Sequence, residues 1–248
     1  LPRPLKAIWF QSEENLEVAR GPRLDAAGAD SDRVLVVPHV DLPDSRQRGF
    51  DVTRDLAELE ELLKAEEDIG LVILDPILQF MGDGLDNNQG NQVRARLGPL
   101  NELAGKYDVA VLAISHTTKK RDGSFIGAAS GSLQYAAVAR SVLLLDHEWT
   151  DELDEDDRPT GKKEKTGRRL LAGAGNWAGD GACKTLAFEI EEREVTTSDG
   201  EQTPVGRVNW VEELEGEAQE GYEAHQPGAA KRLEKIDVAK PFLMEWLR

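Results

Sequence analysis

The run LVILDP, Leu71–Pro76, is the clearest indication of how this chain folds, because four apolar residues lead directly into Asp75 and a proline. Apolar runs without strict alternation are typical of strands that are buried on both faces of a parallel sheet. Four other short runs have the same character, and we predict that all five are strands: AIWFQ (Ala7–Gln11), VLVVP (Val34–Pro38), VAVLAIS (Val109–Ser115) and SVLLLD (Ser141–Asp146).

Segments with helical spacing lie between these runs, at Asn15–Ala27, Thr53–Glu67 and Asn88–Tyr107. In Thr53–Glu67 the leucines recur at intervals of three and four residues, which is the spacing of one helix face. Alternating strands and helices predict right-handed crossovers, and hence a mostly parallel sheet that is flanked by helices. The sequence therefore predicts an α/β fold.

The pattern changes after about residue 165, where three strands follow one another without helices: Arg169–Ala174, Thr185–Val195 and Arg207–Glu212. The turn-rich stretch Thr196–Pro204 predicts a hairpin loop. We therefore expect antiparallel strands to extend the sheet. Domain boundaries follow from the same patterns, with a core at 1–212, an acidic linker at 213–228 and a C-terminal helix at 229–248. The first residue is Leu and the last helix has no cap, so we expect a fragment, with 229–248 as the start of an accessory domain.

Composition excludes several classes of protein. The formal net charge is −17, from 47 acidic and 30 basic residues, and this argues against nonspecific wrapping of nucleic acid over the whole surface. The single cysteine excludes a disulfide framework, and the four histidines lack the spacing of zinc ligands. No apolar run approaches the roughly 20 residues that span a bilayer. No signal peptide is recognisable, so we expect a cytoplasmic protein without a membrane partner.

Polar residues follow two of the predicted strands. Asp75 ends one of them, and ligands of open α/β sheets bind outside the carboxyl ends of the strands. A carboxylate there can hold Mg²⁺ through water and orient a nucleotide phosphate, although Asp is also a common turn residue. Ser115, His116 and Lys119 follow the strand VAVLAIS and could contact a phosphate or its bound water. The alternative is a solvated loop with a hydrogen-bonded histidine.

Two further positions could take part in chemistry. Glu13 and Glu14 come just after the first strand, where one of them could polarise an attacking water; both could equally favour the positive N-terminus of the following helix. Arg140 directly precedes the strand SVLLLD. An arginine at that point either pairs with a neighbouring carboxylate or projects to a subunit boundary.

Five segments in this order resemble the RecA-like P-loop ATPases and, within them, the RepA-like group of AAA-type hexameric helicases and related plasmid and phage ATPases. The resemblance covers roughly residues 5–212 and is carried by these segments: FQSEEN, RLDAAGADSDRVLVV, LVILDPILQFMG, DNNQGNQVRARLGPLNELAGKYDVAVLAISHTTKK and GSLQYAAVARSVLLL. Each motif is loose by itself, whereas their shared order and spacing are specific. The resemblance implies a RecA-like fold.

The resemblance also implies roles for residues of this sequence. Glu13 or Glu14 would activate water, Asp75 would be the Walker B residue, and His116 would sense the phosphate. Arg140 would be an arginine finger that reaches the nucleotide of the neighbouring subunit. The implied cofactors are ATP and Mg²⁺, and the implied partners are further copies of the chain in a homo-oligomeric ring, expected to be a hexamer, and single-stranded DNA.

The phosphate-binding loop of that family, G-x-x-x-x-G-K-[ST], does not occur in the sequence. The nearest stretch, AGDGACKT at Ala178–Thr185, lacks both required glycines and precedes an alternating strand. We therefore expect the chain as given to be N-terminally truncated and inactive, although a longer form would hydrolyse ATP. The alternative is a non-catalytic RecA-like module that assembles or binds a partner.

A strongly charged region follows the last apolar run. Asp146–Asp157 contains eight acidic residues, and Arg158–Arg169 contains six basic ones. A basic loop could contact a DNA strand, but only Trp149 is available for base stacking. We therefore favour a solvated loop in which the opposite charges pair with each other.

Overall fold

The computed structural model of the chain describes residues 5–12, 21–41, 46–66, 68–85, 89–116, 133–154, 158–172, 185–197 and 200–214. In these ranges the strands are β1 (Lys6–Gln11), β2 (Val34–Val37), β3 (Val40–Asp41), β4 (Gln47–Arg48), β5 (Ile69–Asp75), β6 (Ala110–Ala113), β7 (Leu143–Leu153), β8 (Pro159–Ala172), β9 (Thr185–Thr196) and β10 (Gln202–Leu214). The α-helices are α1 (Gly21–Ala27), α2 (Leu56–Ala65), α3 (Gly90–Tyr107) and α4 (Leu133–Val138). Short 3₁₀ helices span Ser31–Arg33 and Ile77–Phe80.

Four of the predicted strands form a parallel sheet in the order β2-β1-β5-β6. Both neighbours of β1 and both neighbours of β5 run parallel to it. Helices connect successive strands, as right-handed crossovers require. The predicted α/β fold with a RecA-like parallel sheet, flanking helices and further antiparallel strands is therefore confirmed.

Three phenylalanines from separate segments form the centre of the hydrophobic core. The Phe10 ring of β1 stacks on Phe50 with 4.0 Å between ring centroids, and Phe80 packs against both rings at 6.4 and 6.3 Å. Leucines of α2 and residues of α3 close the same core. Burial of these large rings ties the end of β1 to the segments that follow β4 and β5.

The prediction that the strand VAVLAIS is buried on both faces is wrong. The strand β6 is shorter than predicted and lies at one edge of the described parallel sheet. Leu112 and Ile114 have exposed fractions of 41% and 37%. An apolar run indicates that residues favour burial, but the strand order decides whether a strand has neighbours on both sides.

The remaining long strands form a separate four-stranded sheet in the order β10-β9-β8-β7. SVLLLD was expected in the parallel sheet, but β7 instead pairs antiparallel with β8 over most of its length. The charged region is therefore a strand hairpin and not a loop. At two positions the register pairs an acidic residue of β7 with a basic residue of β8, Asp146 with Arg169 and Asp151 with Lys163.

The chain divides into two compact units. The first contains the parallel sheet and its helices, and the second contains β7, β8, the start of β9 and the end of β10. The strand β10 continues to Leu214, which is slightly beyond the predicted start of the acidic linker. The remainder of that linker and the predicted helix at 229–248 lie outside the described residues. Among the helices that the structure describes, none has the length and apolar character needed to cross a membrane.

Candidate functional site

The carboxyl ends of β1, β5 and β6 lie side by side at one edge of the parallel sheet. Asp75 is the last residue of β5, and Ser115 and His116 follow directly after β6. Two backbone hydrogen bonds hold these ends together, from Ile114 N to Leu74 O at 2.9 Å and from Ile77 N to Ile114 O at 2.8 Å. The structure therefore brings Asp75, Ser115 and His116 to the same edge, as the strand reading predicted.

Asp75 and its neighbours at this edge are accessible to a ligand. Asp75 and Ser115 are half-buried and His116 is exposed. Mg²⁺ in nucleotide sites commonly uses only one or two protein carboxylates, with water and phosphate oxygens as its other ligands. The residues that the structure describes include no cluster of three or more metal-ligating side chains, so Asp75 fits that mode rather than an all-protein cage.

Gln11 also lies at this edge, although the sequence did not indicate it as a site residue. It is the last residue of β1, its Cα is in register with that of Asp75, and only 4% of its surface is exposed. The one sequence signal was a polar residue at the end of the apolar run AIWFQ. That signal is weak, since strands commonly end in a polar residue.

The segment that follows Asp75 is held from two sides. On one side, the Arg96 guanidinium of α3 donates hydrogen bonds to the backbone carbonyls of Met81 and Asp83, the second at 2.9 Å. On the other side, Val52 N donates to Phe80 O at 2.9 Å. These contacts fix residues 76–85 to both α3 and the segment before α2.

A partly buried ion pair anchors the segment before α2. Arg48 donates two hydrogen bonds of 2.5 Å to the Asp55 carboxylate, and Asp51 N donates a third at 2.8 Å. Burial by itself would raise the pKa of Asp55, but the Arg48 and Asp51 hydrogen bonds and the Arg48 charge outweigh it and place that pKa below its ordinary value. Asp55 is therefore ionised at neutral pH.

Four other predicted site residues fall outside the described part of the first unit. Glu13, Glu14 and Lys119 lie outside the described residues. Arg140 belongs to the second unit, where it precedes β7 and is exposed. The action of Arg140 on a neighbouring subunit stays a prediction.

An acidic residue ends an internal strand of the parallel sheet and a polar pair follows the next strand, which is where ligands bind in open α/β sheets. Residues 1–122 match the family model of the AAA domain. No curated protein matches the chain.

The matched residues include β1 to β6 and therefore all of the described edge with Asp75, Ser115 and His116. The AAA domain match supports an ATPase of the AAA/RecA-like type. Such a domain typically binds a nucleotide with Mg²⁺.

Proposed function

We propose that the chain is the ATPase core of a RepA-like replicative DNA helicase or of a related plasmid or phage replication ATPase. It assembles into a homo-oligomeric ring, expected to be a hexamer, and hydrolyses ATP at the boundaries between subunits. Asp75 orients Mg²⁺ through water, Ser115 and His116 contact the phosphate side, and Arg140 acts on the nucleotide of the neighbouring subunit.

The observation that best supports this proposal is that the carboxyl ends of β5 and β6 lie side by side. A half-buried carboxylate and a polar Ser-His pair end adjacent parallel strands within the residues that match the AAA domain. Phosphoryl transfer depends mainly on positioning and on charge stabilisation. Adjacent strand ends position such groups more rigidly than loops do.

The phosphate-binding loop is the component that these 248 residues lack. We propose that a segment outside residues 1–248 carries this loop. The strand that precedes the loop would pair with β6 on the side that faces away from β5. The exposed apolar side chains of Leu112 and Ile114 support this, because an additional strand and its helix would remove them from water. Glu13 or Glu14 would then activate the attacking water.

Single-stranded DNA is the proposed substrate of the ring. The net charge of −17 makes a local contact more plausible than an extended one. Two basic residues of β8, Arg169 and Lys163, are in register with the acidic residues Asp146 and Asp151 of β7. The DNA contact is therefore proposed without assignment to a described residue.

The test is ATP hydrolysis by the protein as its gene encodes it, with and without single-stranded DNA. We expect Mg²⁺-dependent hydrolysis that DNA stimulates, and a ring by mass photometry. Asp75→Asn should lower kcat by at least 100-fold, because the metal loses its charged protein partner.

Asp32→Asn is the matched control, since this exposed carboxylate precedes β2 and so lies at the opposite edge of the sheet. It should leave hydrolysis unchanged. Rings that form but hydrolyse no ATP would reject the helicase proposal and favour the non-catalytic assembly module.

A further inference from the structure

The second sheet carries an exposed tryptophan that packs on a buried ring. Trp210 of β10 has an exposed fraction of 54%, and its ring meets that of Phe188 on β9 edge to face, with 5.6 Å between centroids. Phe188 is itself buried, with 8% of its surface exposed. A side chain that is held by a buried neighbour loses little conformational freedom when a ligand binds to it.

An arginine of β8 belongs to the same face as this aromatic pair. Arg168 is exposed and is in register with Phe188 on one side and with His147 of β7 on the other. Residues in register on adjacent strands project to the same face of a sheet. Arg168 therefore shares the face of Phe188, and Trp210 shares it through its contact with the Phe188 ring.

The register distinguishes Arg168 and Lys165 from two other basic residues of β8. Lys163 and Arg169 are in register with acidic residues of β7. Lys165 is exposed and is in register with Trp149, so a histidine and a tryptophan, and not carboxylates, occupy the β7 positions opposite Arg168 and Lys165. The positions of His147 and Trp149 are two residues apart and so lie on one face.

An exposed aromatic ring beside basic residues has the chemistry that binds single-stranded nucleic acid. The bases of a single strand stack on aromatic rings without regard to sequence, and arginine or lysine neutralises the adjoining phosphates. Adjacent strands are about 4.8 Å apart, so β8 and β10 are separated by about 10 Å. The long arginine side chain and one nucleotide can together bridge that separation.

We propose that this face of the second sheet binds single-stranded DNA, with a base stacked on the Trp210 indole and the adjoining phosphates along Arg168 and Lys165 of β8. Glu212 is exposed two residues after Trp210, and its negative charge favours a phosphate path along β8 rather than β10. The inference rests on the proposed function, which takes single-stranded DNA as a partner but assigns no residue to it. The contact can be tested without ATP.

The first experiment measures the binding of a labelled oligo(dT) of about 16 nucleotides to residues 1–248 by fluorescence anisotropy at low salt. Trp210→Leu keeps an apolar side chain but removes the flat ring, and Kd should rise by about 5- to 100-fold. Trp210→Phe retains a ring and should keep Kd within about threefold. This rescue separates stacking from a loss of folded protein.

Val211→Ala is the matched control for Trp210. Val211 is the next residue of β10 and has an exposed fraction of 53%, and successive residues of a strand point to opposite faces. Its Kd should equal that of the wild type. Absence of DNA binding by the wild type, or an unchanged Kd for Trp210→Leu, would overturn the proposal.

The second experiment repeats the titration at several salt concentrations with Arg168→Gln. Loss of one phosphate contact should reduce the slope of log Kd against log salt by about 0.7. Arg158→Gln is the control, because Arg158 is an exposed arginine that directly precedes β8 and its loss removes the same charge. An equal reduction of the slope in both variants would mean nonspecific attraction and would overturn the assignment to this face.

Two further measurements distinguish other occupants of the face. A DNA duplex of the same length hides the faces of its bases and should bind at least about tenfold more weakly. Equal affinity for the duplex would overturn stacking on Trp210. Sedimentation velocity tests for a second copy: a dimer of residues 1–248 that Trp210→Leu dissociates, with Kd for DNA unchanged, would also overturn the proposal.

Failure of this site and failure of the proposed function give different results. If binding depends on Trp210 but the gene-encoded protein hydrolyses no ATP, the helicase proposal is rejected and the DNA site stands. If the gene-encoded protein hydrolyses ATP but its DNA binding is independent of Trp210 and Arg168, the site is rejected and the ATPase stands.

Discussion

The carboxylate of Asp55 is almost completely removed from water, and it stays charged because Arg48 and the Asp51 amide donate to it. Removal of one partner from such a pair leaves the other without its hydrogen bonds, and the 29% exposure of Arg48 limits the cost. We expect Asp55→Asn to lower the free energy of unfolding by about 2–3 kcal/mol at pH 7.

The pKa of Asp55 is lowered by folding, so this pair stabilises the folded state most where the unfolded carboxyl is already ionised. The difference in unfolding free energy between wild type and Asp55→Asn should be full above about pH 5. It should shrink as the pH falls below about 4, towards the lower pKa of the folded state. Urea unfolding at a series of pH values measures it.

Glu61→Gln is the control for this series. Glu61 is exposed and pairs with Lys64 three residues further along α2 at 2.7 Å. Exposed pairs of this kind contribute little, so the unfolding free energy should change by less than about 0.5 kcal/mol. A similar loss of unfolding free energy for Asp55→Asn and Glu61→Gln would mean that the Asp55 pair stabilises the fold no more than an exposed pair does.

Substitution of Arg140 tests whether one subunit contributes a residue to the nucleotide site of its neighbour. Its side chain is exposed. In the gene-encoded protein, Arg140→Ala should lower hydrolysis by about 10³- to 10⁵-fold and leave nucleotide binding by one subunit intact. Mixtures of Arg140→Ala and Asp75→Ala subunits should recover activity, because some boundaries combine an intact Arg140 with an intact Asp75. No recovery in rings that still assemble would refute action in trans.

At the scale of an element, the segment between Asp75 and α3 depends on two glycines with nearly equal backbone angles. The φ angles of Gly82 and Gly84 are 72° and 71°, in the left-handed region. A Cβ atom on Gly82 would lie 2.9 Å from Oδ1 of Asp51, whereas one on Gly84 would meet nothing within 4 Å. Gly84→Ala should therefore cost about 1–2 kcal/mol of unfolding free energy, from the backbone alone.

Gly82→Ala should lower the unfolding free energy by about 1–3 kcal/mol more than Gly84→Ala does, because Asp51 must move. Thermal or urea unfolding of the two variants gives the comparison. Since Asp51 also accepts hydrogen bonds from Thr53 N and Oγ1, its displacement disturbs the segment before α2 as well. Equal losses for the two glycines would show that Asp51 does not pack against this segment.

Arg96 provides the second connection of the same segment, from α3. Arg96→Met keeps the alkyl stem and removes both hydrogen bonds to the carbonyls of Met81 and Asp83. Amide hydrogen exchange in residues 77–85 should accelerate by about tenfold or more. Arg94→Met, an exposed arginine on the same helix, should not change it. Equal exchange rates in the two variants would mean that the Arg96 hydrogen bonds do not stabilise this segment.

At the scale of the whole molecule, residues 1–248 should bind Mg·ATP weakly or not at all. Most phosphate contacts in a P-loop fold come from backbone N–H groups and from the lysine of the loop that this sequence lacks. Asp75 would reach the phosphates only through a hydrated metal. Calorimetric titration measures this, and a micromolar dissociation constant would contradict the prediction.

Much of the first unit could be predicted from the sequence. The runs around Phe10, Val36, Ile73 and Val111 are all strands of the parallel sheet, and Asp75 ends its strand as expected. The helices start a few residues later than predicted at Leu56 and Gly90, which is the usual uncertainty of helix ends. Apolar runs and helical spacing are local properties, so they can be read without knowledge of the tertiary contacts.

Which strands pair with one another could not be predicted in the same way. The run SVLLLD is as apolar as the others, yet β7 joins β8 in the second sheet, and β6 has an exposed edge. Gln11 and Asp55 look like ordinary polar residues in the sequence. The folded chain shows that Gln11 is buried in register with Asp75, and that Arg48 and the Asp51 amide donate hydrogen bonds to Asp55.

The local pattern of apolar and polar residues was therefore enough to predict the α/β class, the strands of the parallel sheet and the positions of Asp75 and His116 at or just after the ends of two strands. The pairing of the strands, the burial of Gln11 in register with Asp75 and the Arg96 hydrogen bonds to the segment after Asp75 became visible only in the folded chain. The polarity of a residue sets its preference for burial, whereas its neighbours follow from the long-range packing of the chain.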